Sequence, residues 1–117
     1  MQLLDKTTII NLNHIVVGEP TSRGIATGRI RFVSKESDIS DIRPDDIILI
    51  PTASAKWAEA ASLAVGVIST IGGPLSSLGT IARELGKPAV FGVGSEDSKL
   101  VAGSFVEIDG YRGEVKC

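Results

Sequence analysis

The fold of this chain is decided by one stretch of sequence, Thr70-Ile71-Gly72-Gly73-Pro74-Leu75-Ser76-Ser77-Leu78-Gly79-Thr80-Ile81-Ala82-Arg83-Glu84-Leu85-Gly86-Lys87-Pro88-Ala89-Val90. An Ile- and Val-rich run just before it predicts a buried strand, and two glycines followed by a proline predict a tight turn. The residues from Ser77 to Leu85 predict a helix, with Ser76 or Ser77 as its N-cap. Gly86 just past the helix and Pro88 beyond it are typical of helix termination.

The rest of the chain supplies further strands and one more helix. Short apolar runs predict strands at residues 9–17, 30–33, 47–50, 65–69, 89–93, 105–108 and 113–116. The alanine-rich stretch 56–64 predicts a helix. Alternating strands and helices predict a parallel core with right-handed crossovers, and the turn from Asp109 to Gly113 predicts an antiparallel hairpin. We therefore expect a mixed α/β domain in which a β-rich layer packs on a helix-flanked sheet.

Length and composition are those of one compact globular domain over residues 1–117. The chain is 43% hydrophobic and 22% charged, which excludes a disordered or low-complexity protein. The net charge of −2 gives no basic surface for nucleic acid, so we expect no nucleic-acid partner. Arg23, Arg29 and Arg31 cluster in sequence, but alternation along a strand would present them to solvent, and we interpret them as a solvated face.

Cysteine content and hydropathy indicate a cytoplasmic protein. Cys117 is the single cysteine, so no intrachain disulfide can form, as is usual in a reducing compartment. The N-terminus lacks a long apolar segment and a cleavage site, so we expect no secretory signal. The uncharged run from Ala60 to Ala82 is long enough to span a membrane, but Gly72, Gly73, Pro74 and several hydroxyl side chains within it argue against that.

The glycine turn has the features of an anion-binding site. Glycines before a helix start place free backbone N–H groups at the positive end of the helix dipole. The candidate residues are Gly72, Gly73, Ser76, Ser77 and Arg83. The alternative is a plain strand-to-helix turn, in which Arg83 pairs with a surface carboxylate. No Walker loop is present, and the sequence indicates neither a metal site nor a cofactor.

The same stretch resembles, without a gap, the motif G-G-x-T-[S/C]-H-A-A-I-x-A-R-E-x-G-x-P-A-V of a known family. This family is the phosphohistidine swivelling domain of the phosphoenolpyruvate-utilising enzymes, which include pyruvate phosphate dikinase, phosphoenolpyruvate synthase and enzyme I of the sugar phosphotransferase system. The matching residues are Gly72, Gly73, Ser76, Ala82, Arg83, Glu84, Gly86, Pro88, Ala89 and Val90.

Two further motifs extend the resemblance in the same order as in the family. S-P-G-x-A-x-G resembles Ser22 to Gly28, and G-x-x-V-x-V-D-G-x-x-G-x-V resembles Gly103 to Val115. The resemblance thus spans about Gly18 to Val115 and implies a swivelling β/β/α domain of the phosphohistidine type.

The positions at which this chain differs from the family motif are those that the family uses for phosphoryl transfer. The motif histidine, which accepts a phosphoryl group in the family, is replaced by Ser77, and the threonine two residues earlier is Leu75. A T-x-P-x-W loop of the family aligns with Ala53-Ser54-Ala55-Lys56-Trp57, so that its threonine and proline are both alanine. The pattern indicates a domain that has kept the fold of the family and no longer takes part in phosphoryl transfer.

Other candidate residues are weaker. A Ser77 nucleophile would need a general base, and Glu84 lies about two helical turns away; we interpret Ser77 as a helix cap. His14 is the only histidine and lies outside every motif, so a structural or surface role is expected. We interpret Trp57 as a core anchor and Cys117 as an inert thiol.

Two hypotheses about function follow from the resemblance and its departures. The leading one is a stand-alone, degenerate swivelling domain that binds a protein partner or an anion and carries no phosphate. The alternative is a phosphoryl-transfer subunit of a multi-chain phosphotransferase, working with nucleotide-binding and phosphoenolpyruvate-binding chains through Ser77 or a borrowed group. The first hypothesis predicts no covalent phosphate, and the second requires it.

Overall fold

The computed structural model describes residues 14–117, which form eight strands and two α-helices. In chain order these are β1 (Ile15–Val17), β2 (Glu19–Ser22), β3 (Ile25–Phe32), β4 (Asp46–Ile50), α1 (Ala58–Leu63), β5 (Gly66–Ser69), α2 (Ser77–Leu85), β6 (Ala89–Phe91), β7 (Phe105–Asp109) and β8 (Glu114–Lys116). Short 3₁₀ helices occur at Glu36–Asp41, Ala55–Trp57 and Gly94–Lys99.

All eight strands belong to one mixed sheet, in the order β1-β8-β7-β3-β4-β5-β6-β2. The central strands β3, β4, β5 and β6 are parallel to one another. The pairs outside this centre, including the β7–β8 hairpin and the pairing of β2 with β6, are antiparallel. The predicted α/β class, parallel core and closing hairpin are therefore confirmed.

One face of the sheet is covered by other strands of the same sheet. Buried residues of β1, β3, β7 and β8 form one apolar cluster with buried residues of β4, β5 and β6. A Cβ placed on Gly66 of β5 would lie 2.6 Å from Cδ1 of Ile108 on β7, so the sheet coils until these non-adjacent strands pack on each other. The expected β-rich layer is thus made by the coiling of a single sheet.

The two helices cover the other face and complete the β/β/α arrangement. Ile48, Ile50 and Phe91 of the sheet form a second buried cluster with small side chains of the helices, among them Ala60, Ala61 and Ala82. Trp57 is 2% exposed in this cluster, and its indole N–H donates to Thr52 Oγ1 at 3.1 Å. The interpretation of Trp57 as a core anchor is confirmed.

The structure differs from the sequence prediction in the first third of the chain. The apolar pattern does not predict β2, which contains Pro20 and a register shift beside it. β3 begins at Ile25, whereas the prediction placed its start at residue 30. The first part of the strand has no continuous apolar run, because exposed residues alternate there with buried ones. Beyond the first third, the predicted helix 56–64 is a 3₁₀ turn followed by α1. Of the predicted strand 9–17, residues 9–13 lie outside the described part of the chain.

The three clustered arginines do not all belong to a solvated face. Arg23 and Arg29 are exposed as expected. The Arg31 side chain is 32% exposed and its Nε donates to the buried carboxylate of Asp46, which also accepts the backbone N–H of Arg43 at 2.8 Å. The prediction that Arg31 lies on a solvated face is therefore wrong, because its guanidinium pairs with the carboxylate of Asp46 on the neighbouring strand β4.

Within residues 14–117, no helix combines the length and the apolar character that a membrane crossing requires.

Candidate functional site: the glycine turn between β5 and α2

The start of α2 is shaped by Ser76. Its Oγ accepts the backbone N–H of Gly79 at 3.1 Å and donates to the carbonyl of Gly73 at 2.7 Å. Ser76 is thus the N-cap, and the helix begins at Ser77. The interpretation of Ser77 as the cap is wrong, because the capping side chain must lie one residue before the first helical residue.

Gly72 allows the turn to lie against the loop before α1. Its φ is +96°, and a Cβ at this position would be 2.5 Å from the Cβ of Ala53. The backbone N–H of Leu78 donates to the carbonyl of Ala53 at 3.1 Å. The structure therefore brings the Ala53–Trp57 loop and the glycine turn together, as the resemblance implies.

Most of the amide groups at the start of α2 already have acceptors within the protein. The N–H of Leu78 bonds to Ala53, that of Gly79 to the Ser76 hydroxyl, and that of Thr80 to the Ser76 carbonyl at 3.1 Å. In the described part of the chain, the N–H of Ser77 has no acceptor. One free amide and the positive end of the helix dipole thus remain for an anion at this point.

The outer end of the turn is apolar and exposed. Leu75 is 98% exposed and Ile71 is 55% exposed. Ser77 is exposed beside them, and among residues 14–117 its hydroxyl has no hydrogen-bond partner. We refer to Ile71, Leu75 and Ser77 as the tip.

Arg83 bonds to backbone carbonyls. Its Nη1 donates to the carbonyl of Thr21 at 2.8 Å, and its Nη2 donates to the carbonyl of Pro74 at 2.7 Å. Nη2 also donates to Thr80 Oγ1 at 3.3 Å. Arg83 therefore links β2 and the glycine turn to α2. Its partners are two carbonyl groups and a hydroxyl, whereas the sequence suggested an anion or a surface carboxylate.

A carboxylate that the sequence did not single out lies beside the turn. A Cβ on Gly73 would be 3.7 Å from Glu19 Oε1, and one on Gly92 would be 3.7 Å from Glu19 Cγ. Glu19 reaches this place because β2 pairs with β6, where it lies opposite Phe91. No local pattern predicts this pairing, so the sequence offered no means to find Glu19.

The remaining candidates lie outside this site. His14 is exposed, and its backbone pairs with Cys117 through hydrogen bonds of 3.2 and 2.9 Å, as expected of a structural or surface residue. Burial raises the pKa of the Cys117 thiol, and the nearby Lys99 offsets this only in part, so the thiolate, which is the reactive form, is disfavoured. Glu84 is exposed on α2. The described residues hold no cluster of three or more metal-ligating side chains.

Comparison with known proteins identifies the scaffold around this turn. The family described as PEP-utilising enzyme, mobile domain, matches residues 42–113. The chain belongs to this family. The resemblance carried by the motif around Ser77 is therefore confirmed.

The relatives of this mobile domain are much longer proteins. It is 33% identical over 88% of its length to the uncharacterized phosphotransferase YvkC of Bacillus subtilis (strain 168). It is 32% identical over 86% of its length to the phosphoenolpyruvate synthase of Aeropyrum pernix. In both cases the matched region is 12% of the relative's length, so this mobile domain corresponds to one part of a multi-domain protein.

Solved structures give the same assignment of the fold. The solution structure of an Enzyme I (nEIt) protein is similar with a TM-score of 0.56 and 28% identity, over 66% of this chain and 32% of that one. The crystal structure of Thermococcus kodakaraensis aconitase X is similar with a TM-score of 0.61 and 21% identity, over 89% of this chain and 98% of that one. The second similarity concerns the fold alone. The mixed sheet with its helices is thus shared with the Enzyme I protein, as the resemblance implied.

Proposed function

We propose that residues 1–117 form a single mobile domain that binds a protein partner through the tip and carries no phosphoryl group. The observation that supports this most directly is the chemistry of the tip: a leucine exposed over 98% of its surface stands beside Ser77, which aligns with the carrier histidine of the family and whose hydroxyl has no partner among residues 14–117. A leucine in this position is stabilised when a partner covers it, because its side chain then leaves water.

The surroundings of Ser77 support a role outside phosphoryl transfer. A serine hydroxyl needs a general base to attack phosphorus, and in the described residues no basic side chain bonds to it. Glu19 places a carboxylate beside Gly73 of the same turn, and its negative charge opposes the binding of an anion there. We infer that the free N–H of Ser77 still attracts small anions, but weakly.

The relatives suggest what kind of partner to expect. Two of them are a phosphoenolpyruvate synthase and a phosphotransferase, and in each the matched part is a small share of a long chain. We propose that the partner carries nucleotide-binding or phosphoenolpyruvate-binding domains, supplied by another chain or by further parts of the same protein.

The test combines an intact-mass measurement with partner binding. The chain purified from its own host should show the mass of the unmodified protein, and the co-purifying partner should be identified by mass spectrometry. In titrations with the purified partner, Leu75→Ser should weaken binding about ten- to hundredfold, because burying a leucine contributes about 1.5–3 kcal/mol.

Leu63→Ser is the matched control. Leu63 ends α1, is not one of the tip residues and is 41% exposed, so its substitution should leave the affinity for the partner unchanged. If Leu75→Ser and the wild type bound the partner with equal affinity, the tip would not be part of the interface and the proposal would be wrong. Acid-stable phosphate on Ser77, or acid-labile phosphate on His14, would instead establish the phosphoryl-transfer alternative.

A further inference from the structure

A polar cleft is lined by Arg83 and by none of the tip residues. It has a volume of about 670 Å³, and its walls come from β2, the β2–β3 turn, the end of α2 and the β7–β8 turn. We call it the Arg23 cleft. The side chains that matter to its chemistry are those of Ser22, Arg23, Arg83 and Tyr111.

The charge in the Arg23 cleft is positive. Two arginines line it, and no aspartate or glutamate is among its lining residues. The exposed guanidinium of Arg23 has no hydrogen-bond or ion-pair partner within residues 14–117. Arg83 uses three of its five N–H donors in hydrogen bonds to Thr21, Pro74 and Thr80, so two donors remain for a ligand.

A buried hydroxyl in the wall of the cleft is left unsatisfied. Ser22 is 4% exposed, and the described part of the chain provides no hydrogen-bond partner for its Oγ. A buried polar group without a partner costs free energy that a bound ligand can recover. Tyr111, which is 60% exposed at the rim, adds a phenol group that can donate and a ring that can contact an organic substituent.

We propose that the Arg23 cleft binds a small phosphate monoester. Two guanidinium groups and two hydroxyls offer more donors than the two oxygens of a carboxylate can accept, whereas a phosphate monoester presents three terminal oxygens. The family motif has proline where this chain has Arg23, so the second guanidinium is a feature of this sequence. The proposal is independent of the partner-binding function, because it uses none of the tip residues.

The test is a titration of the full chain with phenyl phosphate, followed by backbone amide shifts. The amides of Ser22, Arg23, Gly110 and Tyr111 should shift together and saturate. Arg23→Gln should weaken the apparent affinity at least tenfold. The matched control is Arg29→Gln, an exposed arginine on β3 that does not line the cleft, and it should leave the affinity unchanged.

Ser22→Ala separates a binding role from a structural one. Removing the unsatisfied hydroxyl should leave the free protein as stable as wild type or more so, while weakening phenyl phosphate binding about threefold or more. A fall in stability with unchanged affinity would overturn the role assigned to Ser22.

Three outcomes would overturn the proposal itself. They are amide shifts confined to residues 72–78, equal shifts with sodium chloride at the same ionic strength, and equal affinities of Arg23→Gln and wild type. A phosphoserine peptide that binds far more tightly than phenyl phosphate would identify a protein ligand and so also contradict a small-molecule site.

Discussion

Ser77 aligns with the histidine of the family motif, and we propose that it takes no part in phosphoryl transfer. The residue is exposed at the first position of α2, and its backbone N–H, at the positive end of the helix, has no acceptor among residues 14–117. Leu75 is also fully outside the core, so both positions can accept larger or polar side chains without repacking. The site is therefore open to reconstruction.

Ser77→His should restore phosphoryl acceptance in part. An imidazole at the helix start can hold a phosphoryl group near the dipole's positive end, and Leu75→Thr adds a hydroxyl whose hydrogen bond to a charged group contributes about 1.5–3 kcal/mol. Acid-labile labelling should rise from wild type to Ser77→His to the double variant. The donor is a phosphoenolpyruvate synthase whose own carrier histidine has been replaced.

The structure limits one further substitution. Ala53→Thr would restore a second hydroxyl, but the Ala53 Cβ already lies against Gly72 and the added atoms have little room there. The double variant is therefore the cleaner reconstruction. A folded double variant that stays unlabelled would show that the surface docking to such donors has changed as well.

Glu19 is the residue expected to weaken anion binding at the turn. Glu19→Gln removes the negative charge beside Gly73 and keeps the shape of the side chain. Sulfate affinity, measured from the amide shifts of residues 72–78, should rise by a factor of about 1.4 to 5, since exposed charge interactions are worth about 0.2–1 kcal/mol. Glu84→Gln, on the exposed surface of α2, is the control. An affinity that does not change in Glu19→Gln would mean that its carboxylate points away from the bound anion.

At the scale of the element, α2 is a helix with a capping residue at each end. Ser76 caps its start, and Gly86, with φ of +70°, ends it by donating its N–H to the carbonyls of Ala82 and Arg83. Arg83 then connects the helix to β2 and to the turn. Hydrogen bonds thus fix the position of the glycine turn relative to α2 and β2.

The two serines at the start of α2 should respond differently to substitution. Ser76→Ala removes the capping oxygen and should lower the free energy of unfolding by about 0.5–2 kcal/mol. Ser77→Ala removes a hydroxyl that has no partner among the described residues, and its effect should be within about 0.5 kcal/mol. Urea denaturation of both variants checks this. Similar losses for the two would show that Ser77 shares the capping role.

For the whole molecule, stability depends on one sheet coiling back on itself. Gly66 on β5 and Ile108 on β7 mark a place where the two β layers approach closely. The backbone of Gly66 is not in the left-handed region, so only the space beside it forbids a side chain.

Gly66→Ala should therefore destabilise the protein by overpacking, by about 1–3 kcal/mol. Ile108→Val removes the Cδ1 atom that the new methyl group would meet, so it should recover part of this loss. A double-mutant cycle by urea denaturation measures the coupling, which should be favourable and about 0.5 kcal/mol or more. If the effects of the two substitutions on the free energy of unfolding were additive, the methyl group of Gly66→Ala would not clash with Ile108.

What the sequence determined by itself is the local structure and the family. The capped helix α2, the strand runs at 47–50 and 105–108 and the β7–β8 turn depend on neighbouring residues, whose preferences act over a few positions. The motif around Ser77 is sufficient to indicate the family, because its residues are contiguous in the chain, and residues 42–113 match that family.

Only the tertiary structure decided which distant groups meet. β2 contains a proline and has little apolar pattern of its own, and it is a strand because β6 provides its hydrogen-bonding partner. That pairing brings Glu19 to the glycine turn and the Thr21 carbonyl to Arg83. Such contacts depend on the path of the whole chain, and the residues that make them carry no local preference for one another, so sequence patterns could not reveal them.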